Sequence, residues 1–319
     1  PAFLADQVER VREPGAGFLS SDVGFNLLEL LVEEVTGDDF AAYMKTEVLA
    51  PLDMHDSSFV WREAYGPAIA TGYEMDGTPV EPYVYPASAS GGLLTDVEDL
   101  ARFVAGGMNG SEAVLSQQSL QAIYEPRVEI PGLFGFVADA YGFGHFIETL
   151  PDGRKAVWHG GQGHGWMTHF HAVPETGDGI VVLTNSQRSW PFLAALLSDW
   201  ARWSGIGSVS FGIITAATRG LWAIIAVVAI ASLVQIYRLL AGIRRGSRRF
   251  AGGSGAKVWP RLVQGIAGLG LLGVLAWRVT LPYVFERSIF PAAFPWAVGA
   301  FALFGAVLIA SALVPQVTD

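Results

Sequence analysis

Apolar positions recur at helical spacing early in the chain and at alternating spacing later, and this change of period organises the first two hundred residues. Leu27, Leu28, Leu31, Val32 and Val35 form a stripe of period 3.6, which predicts a helix from Val23 to a glycine stop at Gly37. Ser20, Ser21 and Asp22 stand at its amino end, where free N–H groups and the dipole favour oxygen side chains as plain caps. A short helix is expected over residues 38–45. Thr95 to Glu98 reads as a capping box opening a helix from Val97 to Val104, which Gly106 and Gly107 end. Ser116 can cap a further helix, Gln117 to Tyr124. Ser88, Ser90, Gly91 and Gly92 read as a loop of small residues, with no catalytic role.

From Tyr141 the period falls to two. Residues 141–146 read as the strand entering a β-meander, with His145 packed rather than reactive. Val157 and Trp158 are strand formers, residues 166–173 alternate in type, and 180–183 form a short apolar run after a turn at 174–179. Between the first two of these strands lie Gly160, Gly161, Gly163 and Gly165, which let another backbone or a ligand approach where a side chain would block it. His159 sits at the edge of that opening.

After residue 205 the pattern loses its polar face. Apolar stretches near 219–240, 262–281 and 292–314 are long enough to cross a bilayer. Residues 206–319 hold ten Lys and Arg against Glu286 and Asp319, a net +8, whereas residues 1–205 hold ten basic and 28 acidic side chains, a net −18. The reading is a soluble domain over 1–205 and a membrane domain over 206–319. Arg244, Arg245, Arg248, Arg249, Lys257 and Arg261 would hold the loop 241–261 on the cytoplasmic side and the acidic domain outside. Arg219 and Arg278 are expected to snorkel to the interface. So acidic a domain argues against nucleic acid as a partner. The absence of cysteine excludes disulfides, thiolate metal sites and a cysteine nucleophile.

Several segments in order carry a resemblance: PGAGFLSSD followed by GFNLLELLVEEVTG, then APLDMHDSSF, ASASGGLLTDVEDLARFV, HGGQGHGW and VVLTNS. The series resembles the serine β-lactamase and penicillin-binding-protein superfamily, in particular the branch with class C β-lactamases, D-stereospecific peptidases and related esterases. The resemblance implies an α+β fold, an antiparallel sheet flanked by helices, ahead of the three membrane helices. It also implies an acyl-enzyme hydrolase acting on an ester, amide or peptide, with no cofactor and no metal. By motif position, Ser20 and Asp22 fall in the Tyr-x-Asn or Ser-x-Asn motif that relays a proton. His159, Gly160 and Gly161 fall in the K-T-G or H-x-G strand, so His159 joins Ser20 and Asp22 as catalytic, and Gly160, Gly161 and Gln162 bind substrate. Two departures stand out: Ser20 where the nearest branch has Tyr, and Asp22 where Asn is usual.

The nucleophile should come from S-x-x-K. Its one occurrence, Ser254 with Lys257, lies between apolar stretches and is set aside as chance. The functional motif is expected upstream of Pro1, the sequence being read as a fragment. Two other functions remain open: a catalytically inactive ligand-binding or regulatory module of the same fold, for which Asp22 speaks, and a metallohydrolase using His159, His164, His169 and His171, two of which share a strand face.

Overall fold

The computed structural model describes residues 9–13, 15–108, 110–250, 258–281 and 285–316. It divides into two compact units, Pro1–Ile213 and Ile214–Asp319. The first unit opens with helix α1, Asp22–Thr36, which ends at Gly37 in the left-handed conformation (φ 78°) that glycine adopts without cost. Helix α2, Phe40–Met44, is capped by Asp39, whose carboxylate accepts from the Ala42 N–H, and runs on into a π turn, Lys45–Leu49. A two-strand ribbon, β1 (Gly72–Tyr73) with β2 (Pro79–Val80), precedes three short helices. These are α3 (Ser88–Gly91), α4 (Val97–Gly106) and α5 (Gln117–Ile123).

A six-stranded antiparallel sheet follows in simple sequence order: β3 (Val128–Glu129), β4 (Ala140–Tyr141), β5 (Phe146–Thr149), β6 (Lys155–Gln162), β7 (Met167–Val173) and β8 (Asp178–Thr184). Its two faces bury different clusters because side chains alternate along each strand. Ile147, Val157 and Ala172 meet Val104 of α4, with Phe170 and Val181 packed beside them. On the other face Met167 and Val182 meet Leu193 of helix α6, Trp190–Trp203, with Ile180 and Trp190 beside them. The central strand β7 is therefore covered on both sides, and its pairing with β6 and β8 fixes the register at the site.

The second unit holds three helices long and apolar enough to cross a membrane: α7 (Gly212–Arg244), α8 (Val258–Thr280) and, after the five-residue α9 (Phe285–Ile289), α10 (Phe294–Leu313). A Cβ on Gly268 would lie 2.6 Å from the Gly305 carbonyl oxygen, so the α8 and α10 backbones meet where side chains would part them. Gln235 donates to Ser311 Oγ at 3.0 Å across α7 and α10.

Several local contacts refine these readings. The α1 stripe faces outward: Leu31 is 56% and Val35 75% exposed. The helix docks by its polar side instead, Glu29 accepting from the Ala89 N–H at 2.9 Å and Glu33 from the Phe40 N–H at 3.2 Å. Asp96, not Thr95, caps α4, because its carboxylate reaches the Asp99 N–H while the Thr95 hydroxyl pairs with Ser57 at 2.7 Å. The small-residue stretch after Ala87 is one helical turn rather than a loop. Residues 141–146 form a tight turn between β4 and β5, closed by the Gly142 N–H on the His145 carbonyl. Arg278 pairs with Glu286 at 2.5 Å.

Candidate active site

Two segments distant in sequence meet beside the β4–β5 turn. Phe18 lays its ring against Tyr141 and Phe146, at centroid distances of 5.2 and 5.6 Å. The phenol of Tyr141 lies 3.3 Å from His159 Nε2, and the Phe146 ring is 5.4 Å from the imidazole. The stretch leading into α1 is thus held on the same aromatic cluster that holds His159. Ser20 follows two residues after Phe18 and is exposed. Ser21 occupies the N-cap position in extended conformation, yet its side chain makes no capping bond. Plain capping therefore does not account for the serine pair.

Asp22 is the first residue of α1, and its carboxylate accepts from the Tyr85 hydroxyl at 3.2 Å. Burial, and next the Asp22 charge, push the Tyr85 phenol above its ordinary value, so it stays protonated as donor. Two residues earlier, the Tyr83 hydroxyl accepts from the His164 N–H at 2.9 Å. Its ring also packs on Trp166 at 5.9 Å. The segment 83–85 thereby bridges the amino end of α1 and the glycine-rich mouth of β6 and β7.

His159 is mostly buried, and that burial lowers its pKa to about 4, with His145 adding to the drop and a Gly160 backbone hydrogen bond opposing it. At neutral pH it is an uncharged imidazole that can accept from Tyr141, whose own phenol burial holds protonated. His145 packs between Tyr124 and Phe170.

The strand itself supplies an open edge. The Leu150 N–H bonds the Arg154 carbonyl across the β5–β6 turn, whereas the Gly161 N–H reaches Thr168 Oγ1 and the Gly163 N–H the Trp166 carbonyl, both toward β7. Backbone groups alternate in direction along a strand, so the N–H and C=O of even-numbered β6 residues point toward β5. That pairing stops at Phe146 opposite Trp158. The backbone of Gly160 therefore faces an edge that no strand covers among the described residues.

Each glycine of the motif is bare for a different reason. A Cβ on Gly161 would sit 2.7 Å from Thr168 Oγ1, and one on Gly160 would sit 3.0 Å from the Thr168 carbonyl oxygen and 3.3 Å from His169 Nδ1. The Gln162 side chain turns to α6, accepting from Trp190 Nε1 at 3.4 Å.

Strand register separates the remaining histidines. His169 and His171 stack under Trp158 on the α6 face, the opposite face from His159 by alternation. His164 pairs with Glu74 at the mouth, at 2.7 Å. Among the described residues no group of three or more His, Asp or Glu is arranged to hold a metal ion, and a metallohydrolase centre built from these four histidines does not fit the sheet. Ser254 and Lys257 lie outside the described residues.

With this geometry in view, the beta-lactamase family model matches residues 4–199. The chain belongs to the beta-lactamase family. Its family segment is 26% identical over 205 residues to the unguisins hydrolase ungD' of Aspergillus campestris, covering 59% of this chain and 38% of that protein. It is 28% identical over 194 residues to Protein flp of Staphylococcus aureus, covering 58% and 36% respectively. The chain thus spans just over a third of the length of these curated relatives. Among solved structures, the octameric penicillin-binding protein homologue from Pyrococcus abyssi is similar, with 27% identity and a TM-score of 0.59 over 68% of this chain and 50% of that one. In this beta-lactamase-family unit Phe18, two residues before Ser20, shares an aromatic cluster with His159, while Asp22 is held by Tyr85. Tyr85, Tyr83 and Tyr141, which make these contacts, carry no spacing signal in the sequence beyond the Tyr-x-Tyr of residues 83–85.

Proposed function

We propose that the full-length protein is a membrane-anchored serine hydrolase that opens an ester, amide or peptide through an acyl-enzyme. The observation that carries this reading is the β6 edge at Gly160, which no strand covers among the described residues, beside a neutral His159 and the Ser20 segment. An extended substrate can add to that edge by main-chain hydrogen bonds. There a backbone N–H of the strand would meet the developing oxyanion, and Gly161 would leave the strand's surface clear. Ser20 would relay a proton and His159, supported by Tyr141, would donate to or orient the substrate. The attacking serine would belong to an S-x-x-K motif outside the given sequence. Membership of the beta-lactamase family supports hydrolysis, as does the similarity to a protein named a hydrolase of unguisins.

In this reading Asp22 sets substrate charge. A carboxylate bonded to Tyr85 at the mouth repels substrates that carry their own carboxylate, so neutral esters and amides are favoured over penicillins. The three apolar helices would anchor the protein in the cell membrane. The arginine-rich loop 241–261 would lie in the cytoplasm and the acidic domain outside, the bilayer and a small-molecule or peptide substrate being its partners. Fluorophosphonate labelling of the full-length protein tests the proposal. One serine should be modified, and His159→Ala should lower ester turnover on the order of a hundredfold. Failure to label, with intact fold, refutes the reading in favour of an inactive binding module.

A further inference from the structure

Beneath the site strand, on the α6 face, three ionisable side chains are stacked out of contact with water: Glu148 of β5 is 1% exposed, His169 of β7 1% and His171 of β7 0%. The Ser210 N–H donates to Glu148 Oε2 at 2.7 Å. Glu148 Oε1 lies 2.9 Å from His171 Nε2. His171 Nδ1 in turn lies 3.5 Å from His169 Nε2. His169 is the cross-strand partner of Gly160, and its Nδ1 fills the space that a side chain at 160 would need. Trp158, Phe211 and Trp200 wall the group with rings.

Chemistry fixes the order of protons along this row. Of two facing ring nitrogens one donates and the other accepts, so a proton on His171 Nε2, the nitrogen turned to Glu148 Oε1, leaves its Nδ1 to accept and puts the His169 proton on Nε2. Burial and the neighbouring histidines hold His169 in the neutral form. No step assigned to the site uses these groups. Burying three such groups costs stability, and Glu148 Oε1, His171 Nε2 and His169 Nδ1 have no hydrogen-bond partner among the described residues; the row runs under the strand that presents Gly160 to the open edge.

We propose that Glu148, His171 and His169 are positioning residues for the hydrolytic site, a buried polar row that crosses beneath β6 and sets the placement of its edge through Gly160. The inference rests on the hydrolase reading above for its kinetic consequence, while its structural half stands without it. In the full-length protein, His169→Phe keeps an aromatic ring but loses both nitrogens, and His169→Gln returns a donor near the Nε2 position. His169→Phe should lower kcat for a neutral ester by ten- to a hundredfold with KM within twofold, and His169→Gln should recover most of the loss. Nitrogen NMR of the wild type should show Nε2–H tautomers on His169 and His171. Amide exchange should quicken at residues 160–162 in His169→Phe and stay unchanged in α4. Equal kcat in wild type and His169→Phe, or equal loss in the Phe and Gln variants, overturns the positioning role. An Nδ1–H tautomer on His169, or unaltered exchange at 160–162, overturns it without reference to turnover. If instead His159→Ala leaves turnover intact, the hydrolase assignment fails and the NMR and exchange results alone decide the row.

Discussion

Acidification should unfold the first unit through His159, and the size of the effect follows from its surroundings. Its folded pKa is about 4 against an ordinary 6.5, chiefly because burial disfavours the imidazolium. Between those two values the unfolded chain binds a proton that the folded one refuses, so stability falls as pH drops from 6.5 to about 4 and is intact above that window. The lost stability is roughly 3 kcal/mol, or about 6–12 °C in the thermal midpoint of a unit this size. His145 and His169 are depressed for the same reason and add slope of the same sign, which makes the difference from His159→Phe the informative quantity. Phenylalanine keeps the ring contacts with Phe146 and Tyr141 but takes no proton. Thermal unfolding of the detergent-solubilised full chain, followed by tryptophan fluorescence at steps from pH 7.5 to 4, compares the two proteins. The variant should show the shallower dependence. If both lose stability in parallel over the window, His159 is charged or solvated in the fold, and the reasoning for a neutral acceptor beside Tyr141 is wrong.

Glu148→Leu strands the Ser210 N–H and removes the carboxylate beside His171 in a dry interior and should cost about 3–5 kcal/mol, while Glu148→Gln, which keeps an acceptor for Ser210, should cost about 1–3 kcal/mol; denaturant titration separates them, and equal losses would contradict the buried polar row. Asp22→Asn removes the charge at the mouth and keeps an acceptor for Tyr85, so nitrocefin hydrolysis by the full-length protein should rise about tenfold, read by absorbance, with neutral-ester turnover little changed. The chain has no cysteine, so single cysteines report sidedness without background. A membrane-impermeant maleimide on intact cells should label Asp152→Cys and spare Gly246→Cys, and the reverse pattern would invert the topology.

The larger elements were legible because each rests on local chemistry. Gly37 ends α1 in the one conformation that favours glycine, and the alternation after Gly165 gives β7 its two buried faces. The three apolar helices follow from length and composition alone. Family membership was legible in the order of short motifs. Contacts made across long separations were not. Nothing local distinguishes Tyr85 from any other loop tyrosine until it meets Asp22, 63 residues away. The outward turn of Leu31 and Val35 does not follow from their pattern, since periodicity tells which residues share a face but not what that face meets. Period two put His169 and His171 together, but only the pairing of Trp158 with His171 and of His159 with Phe170 places them across the sheet from His159.

The bare margin of β6 also carries a hazard. Any margin able to receive a substrate backbone can receive a stray extended chain, including the same stretch of a sister molecule, which is how fibrillar stacking begins. The run is short, and glycine at 160, 161, 163 and 165 gives a visiting strand no side chains to grip and loses much freedom when it stiffens. Its poverty of side chains thus guards the berth against permanent tenants while leaving it free for brief ones.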